Sequence, residues 1–198
     1  MKAVESPLEE GGESDFDDQL IVSQIVSGQK DLFRLLVRRY ERAVYGMGLS
    51  FFRNTEDASD FTQEVFLKVY RNLSRFEGRS RFSTWLYKIA YNTAVNGVNR
   101  RKEYQSLAEE EADKLNTGGT PCDTPERILL RNAAREAVQA AMTELPERFR
   151  ICVDLFFFYD RSYQEIEVIT GFPVNTIKSH VFRAKKLLRE KLELLPED

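Results

Sequence analysis

Histidine and cysteine are nearly missing from this chain. One histidine and two cysteines in 198 residues leave no ligand set for a structural zinc. Cys122 and Cys152 lie far apart and form neither a paired metal motif nor a disulfide framework, which fits a reduced, cytoplasmic protein. No apolar run approaches the roughly 20 residues that a membrane-crossing helix needs. The acidic, polar first residues do not resemble a secretory signal. Strand-like alternation is missing, and so is any internal repeat. Gly118 and Gly119 are not followed by a lysine, so no phosphate-cradling loop is present. Without a nucleophile–base pair or a metal cluster, the chain is expected not to be an enzyme and to need no cofactor. Nor is there an overall excess of positive charge, because the net charge is -3.

That total hides a segregated pattern. Residues 1–20 hold seven acids against Lys2, and residues 103–127 are net -5. Residues 71–102 are net +7 and residues 173–191 net +5. Sign asymmetry along a chain says more about partners than the sum does. Two basic blocks separated by an acidic one suit two nucleic-acid contacts. They also suit two solvated helix faces.

Apolar spacings of three and four run through the chain and predict an all-α fold. Residues 1–18 read as a disordered acidic tail. Residues 19–103 read as a first helical domain, with an apolar stripe at Phe61, Val65 and Val69 and a helix over 83–101. Residues 104–124 lose periodicity and carry turn chemistry at 116–121, so they read as a flexible acidic linker. Residues 125–198 read as a second, smaller helical domain. It opens on Thr124 and Pro125 as helix-start signals and includes a stripe at Ala133, Ala137, Ala140 and Ala141.

Within the second domain, Ser162 and Glu165 have capping-box spacing, Gly171 can take a positive φ, and Pro173 can open the next helix. Ile177, Val181, Ala184 and Leu188 then share one face, with Asn175, Lys178, Ser179, Phe182, Arg183 and Lys186 opposite. Two helices joined by a short turn, the second polar and basic outside, fit a helix-turn-helix reading the major groove. An ordinary helical hairpin is the plainer alternative. In the first domain, Lys88, Asn92, Asn96 and Asn99 form one helical stripe. Asparagine is a poor helix former, so its recurrence on one face asks for a reason beyond helix stability. Asparagine amides can read base edges, and Phe82, Trp85, Tyr87 and Tyr91 offer surfaces for unstacked bases. Phe82 and Trp85 fit a core role equally well.

These segments resemble the extracytoplasmic-function (group IV) sigma factors of bacterial RNA polymerase. The resemblance rests on DASDFTQEVFLKVYRNLSRF (57–76), FSTWLYKIAYNTAVN (82–96), ELPERFR (144–150), SYQEI (162–166) and PVNTIKSHVFRAKKLLR (173–189). It implies a sigma region 2 bundle and a sigma region 4 helix-turn-helix, with core RNA polymerase and promoter DNA as partners. Region 2 would bind the clamp helices of the largest subunit through Asp57, Asp60, Gln63 and Glu64. It would melt and read the minus-ten element through Phe76, Phe82, Ser83, Trp85, Lys88, Tyr91, Asn92, Asn96, Arg100 and Arg101. The loop FEGRSRF (76–82) matches the family segment that captures a flipped base, with Phe76, Phe82, Ser83 and Asn92 as its candidates. Region 4 would read the minus-thirty-five element through Asn175, Thr176, Lys178, Ser179, His180, Phe182, Arg183 and Lys186, and would touch the flap of the second-largest subunit. Many relatives are silenced by an anti-sigma factor. Three positions depart from the common pattern: Glu167 stands where a small alanine is usual, Asn175 where glycine is frequent and His180 where arginine is usual. The competing expectation is a stand-alone helix-turn-helix regulator, which would not need the Asn-rich aromatic helix.

Overall fold

The computed structural model describes residues 10–107, 138 and 140–193 of the chain. It divides into two compact units, the first built mainly from residues up to Tyr104 and the second mainly from Gln105 onward. Among the described residues there are helices and no strands.

Four helices make the first unit: α1 (Glu10–Val26), α2 (Phe33–Phe52), α3 (Thr55–Asn72) and α4 (Phe82–Leu107). Each buries one stripe at helical spacing. On α1 it is Ile21, Val22 and Ile25; on α2, Leu36, Tyr40, Val44 and Met47; on α3, Ala58, Phe61, Val65 and Val69; on α4, Phe82, Leu86, Ala90 and Ala94. Full burial of a leucine, valine or phenylalanine is worth roughly 1.5–3 kcal/mol each, so this shared core holds the four helices. Gly48 permits the close crossing of α2 and α3. A Cβ at that position would lie 2.8 Å from Phe61 Cδ1 and 3.0 Å from Ala58 Cα.

Two boundaries differ from the sequence reading. Residues 10–18, expected to be disordered tail, are helical, and Asp18 is fully buried. Its carboxylate accepts hydrogen bonds from Arg39 and Tyr40 on α2. An acid that looks solvated by composition is thus neutralised by a partner distant in sequence. The Tyr40 hydroxyl is held far above its ordinary pKa, first by burial and then by its bond to Asp18. At the other end, α4 continues to Leu107, so residues 104–107 belong to the helix rather than to the linker. The linker from 108 onward, Cys122, the Thr124–Pro125 helix start, and Ala133 and Ala137 lie outside the described residues.

The second unit gathers the end of a helix at 140–144, then α5 (Glu147–Val153), a π-helical turn (Asp154–Phe158), α6 (Tyr163–Thr170) and α7 (Val174–Glu193). Met142, Leu145, Phe149, Val153 and Ala184 form a core, flanked by Leu187 and Leu188. Ile166 and Ile169 on α6 are buried with Ile177 and Val181 on α7. The Ser162–Glu165 capping box is fully formed, and Gly171 ends α6 at φ 77.

Candidate nucleic-acid interfaces

The inner residues of α7 orient its outer ones. Because Ile177, Val181 and Ala184 are buried, Asn175, Lys178, Ser179, Phe182, Arg183 and Lys186 are turned to solvent, and Thr176 is half-buried beside them. Phe182 is 71% exposed, an unusual position for a large aromatic in a small helical unit. Lys178 Nζ stands 5.9 Å from the ring centre of Tyr163, so its stem is steadied while its charge stays wet. The face offers amide, hydroxyl, cationic and apolar groups together, the vocabulary of major-groove recognition.

His180 is different. It is half-buried, with its ring 5.0 Å from that of Phe149 and 5.6 Å from that of Phe172. Its Nδ1 lies 3.7 Å from Cys152 Sγ. Burial, then the nearby Arg148 and Arg183 charges, lowers its pKa, which favours the neutral ring. In the free chain the His180 ring packs between α5 and α7.

On α4, burial of Leu86, Ala90 and Ala94 turns Lys88, Asn92, Asn96 and Asn99 outward as one exposed stripe. Tyr91 is half-buried beside them, its ring 6.1 Å from that of Phe51. At the start of the helix, Phe76, Phe82 and Trp85 form an aromatic cluster with ring centres 5.4–5.8 Å apart. Phe82 is fully buried and Ser83 nearly so, at 6% exposure. Both were expected to touch DNA; in the free chain they form the floor under Phe76 and Trp85, which keep half-exposed edges. Their burial has a simple cause. The first turn of α4 packs against Tyr40 of α2, whose ring centre lies 5.7 Å from that of Phe82.

Each unit also matches a family model of its own. Sigma-70 region 2 matches residues 36–104, and Sigma-70, region 4, matches residues 135–188. The RNA polymerase sigma-H factor of Pseudomonas aeruginosa is 35% identical over 183 residues, covering 90% of this chain and 95% of that protein. The ECF RNA polymerase sigma-E factor of Escherichia coli K12 is 36% identical over the same length, with 90% and 95% covered. This chain belongs to the sigma-70 family. It is an alternative sigma factor of the extracytoplasmic-function type, a protein that directs initiation of transcription. Among solved structures, the fold is similar to the sigma factor RpoE of Bartonella quintana, determined with the anti-sigma factor NepR. That match has a TM-score of 0.67 at 20% identity, over 83% of this chain and 98% of the other. CnrH, determined with the cytosolic domain of CnrY, matches at a TM-score of 0.63 and 22% identity, over 89% and 97%.

The acidic stripe of this sigma factor is divided by its neighbours. Asp57 is paired with Arg101 of α4, whose guanidinium also stands 5.7 Å from the ring centre of Phe52. Glu64 is paired with Lys68 at 2.7 Å and reaches Arg100 at 3.8 Å. Lys68 in turn donates to Thr93 of α4 at 3.2 Å. Asp60 and Gln63, by contrast, are exposed, on the same side of α3 as Leu67 and Tyr70, at 56% and 40% exposure. The expected core-binding residues therefore fall on two faces, one tied to α4 and one open. Arg100 and Arg101, expected on DNA, are tied to acidic partners in the free chain. The basic loop before α4 holds Arg75, Arg79 and Arg81, all exposed, which were not among the expected site residues. Their charge was visible in the sequence, but only the loop's position beside the Phe76–Trp85 edge joins them to the α4 face.

Proposed function

We propose that this sigma factor reads its promoter through two separate faces and binds core polymerase through a third. The α7 face, with Asn175, Lys178, Ser179, Phe182, Arg183 and Lys186, meets the minus-thirty-five element in the major groove. The α4 face, with Lys88, Asn92, Asn96 and the edges of Phe76, Trp85 and Tyr91, holds unstacked bases of the minus-ten element. Arg75, Arg79 and Arg81 add phosphate contacts beside it. Asp60 and Gln63, with Leu67 and Tyr70 alongside, form the open part of the core-binding face. A basic partner helix would find charge and apolar surface together there. The exposure of both polar-basic faces, each on its own unit and each backed by a continuous core, is the observation that carries this reading.

The chain acts by binding, in the cytoplasm, and leaves catalysis to the polymerase. An anti-sigma factor would silence it by covering the same faces, in line with the complex of the Bartonella quintana sigma factor with NepR. Run-off transcription with purified bacterial core polymerase and fragments of the host genome is the direct test. Discrete transcripts that share two upstream elements and vanish without the chain are expected. No transcripts together with no stable core complex would overturn the reading in favour of a stand-alone regulator.

A further inference from the structure

Every backbone amide of the turn between α6 and α7 has a partner. Gly171 N–H donates to the carbonyl of Glu167 at 2.8 Å. Phe172 N–H donates to Thr170 Oγ1 at 3.2 Å, and Thr170 Oγ1 itself donates to the Ile166 carbonyl at 2.8 Å. Pro173 has no N–H to satisfy. Val174, the first residue of α7, donates its N–H to Glu167 Oε1 at 3.1 Å. Glu167 thus closes the turn twice, with its backbone on the side of α6 and with its carboxylate on the side of α7. The residue is exposed, so the large side chain that replaces a small one does not wedge the two helices apart.

We infer that Glu167 is a positioning residue that also sets how strongly α7 is drawn to DNA phosphate. The inference rests on the reading of α7 as the DNA-reading helix. Its carboxylate ties the first turn of α7 to α6 across a seven-residue separation, which fixes the angle at which the reading face is presented. It also places an acidic group at the positive end of the α7 dipole, where first-turn amides favour an anion. In a helix-turn-helix, amides at that end can take a backbone phosphate of the DNA. Here the protein supplies its own anion, so one phosphate contact is both blocked and repelled. The consequence is weak sequence-independent binding, with base contacts on α7 left to decide where the chain settles.

The experiment uses the full chain and a random-sequence duplex, with affinity followed by fluorescence anisotropy across a salt series. Glu167→Gln keeps an acceptor for the Val174 amide and removes the charge. It is expected to tighten binding roughly three- to tenfold at low salt, the scale of one screened charge pair. Because the Val174 amide stays capped in this variant, the gain comes from relieved repulsion and should shrink as salt screens it, so the salt dependence becomes steeper. Glu167→Ala should tighten binding as well, but with a lowered thermal midpoint because the cap is lost. Arg183→Ala is the control for the face and should weaken binding. If Arg183→Ala weakens binding while Glu167→Gln changes neither affinity nor slope, the carboxylate is only a cap and the inference is overturned alone. If Arg183→Ala has no effect, α7 does not face DNA, and the proposed function of that helix falls together with the inference.

Discussion

Arg39 holds Asp18 across 21 residues of sequence, and the carboxylate it holds is fully buried. Arg39 bridges to exposed Asp17 as well, at 2.7 Å, and Tyr40 donates to the second oxygen of Asp18. One carboxylate therefore fastens α1 to the bundle. Asp18→Ala removes the acceptor of the buried Tyr40 hydroxyl and one of the carboxylates that hold Arg39, and should cost about 3–5 kcal/mol. Asp18→Asn, which still accepts one bond, should cost less, about 1–3 kcal/mol. Trp85 is the only tryptophan and lies in the same unit, so denaturant unfolding followed by its fluorescence reads this unit alone. Equal, small losses for both variants would show that the pair does not anchor α1.

Gly48 is the second point where α2 tolerates no change. Alanine would be the better helix former by about 1 kcal/mol on propensity alone. Its Cβ would sit 3.0 Å from the Ala58 backbone, which cannot move aside as a side chain tip can. Gly48→Ala should therefore be net destabilising, by about 1–3 kcal/mol. At Gly97 the added Cβ would meet only the ring edge of Phe52 at 3.0 Å, so Gly97→Ala should cost less. The same fluorescence titration ranks the two, and the reverse ranking would contradict the packing described for α2 and α3.

His180 gives the second unit a pH dependence of predictable sign. Its folded pKa lies below the ordinary 6.5. The unfolded chain therefore binds the proton more readily than the folded one, and stability rises with pH through this interval. The contribution is fully present above about pH 6.5 and is lost as pH falls toward the lowered folded value. Phe149, Phe172 and Cys152 line the ring, and Arg148 and Arg183 add repulsion to its charged form. Because the chain has one histidine, its imidazole proton signals titrate without overlap in NMR. A midpoint below 6.5 is expected, and His180→Phe should flatten the difference in thermal midpoint between pH 7.5 and pH 5.5. A midpoint at or above 6.5 would remove the basis for this prediction.

Phe182 tests the reading face without disturbing the core. At 71% exposure its truncation removes little packing, so Phe182→Ala should change the unfolding free energy by no more than about 0.5 kcal/mol. Loss of a base contact should nevertheless lower promoter-specific transcription roughly tenfold, the cost of one wrong base pair. Wild-type transcription from this variant would remove Phe182 from the interface.

Both exposed polar faces were legible because burial on a helix leaves its periodic mark in sequence. Ile177, Val181 and Ala184 name the inside of α7, and the outside follows from 3.6 residues per turn. The same logic exposed the Lys88–Asn92–Asn96–Asn99 stripe. It did not show the burial of Phe82 and Ser83, which sit in the first turn of α4. A helix end meets neighbours along its axis as well as across its face, and periodicity is silent about those. Nor did it show the packing of His180, whose ring lies against those of Phe149 and Phe172. It failed at Asp18 because an acid's partner can lie anywhere in the fold.

Composition and pattern by themselves determined the all-helical class, the segregation of charge and the cap-and-turn chemistry of α6 and α7, since these depend on residues within a few positions of one another. Tertiary structure alone decided which charges are spent inside the molecule. Asp18 is held by Arg39, Asp57 by Arg101 and the Val174 amide by Glu167, each through a contact made when helices pack. A charge written in sequence is only a potential; its partner, its solvent and hence its effect are set by the packing around it.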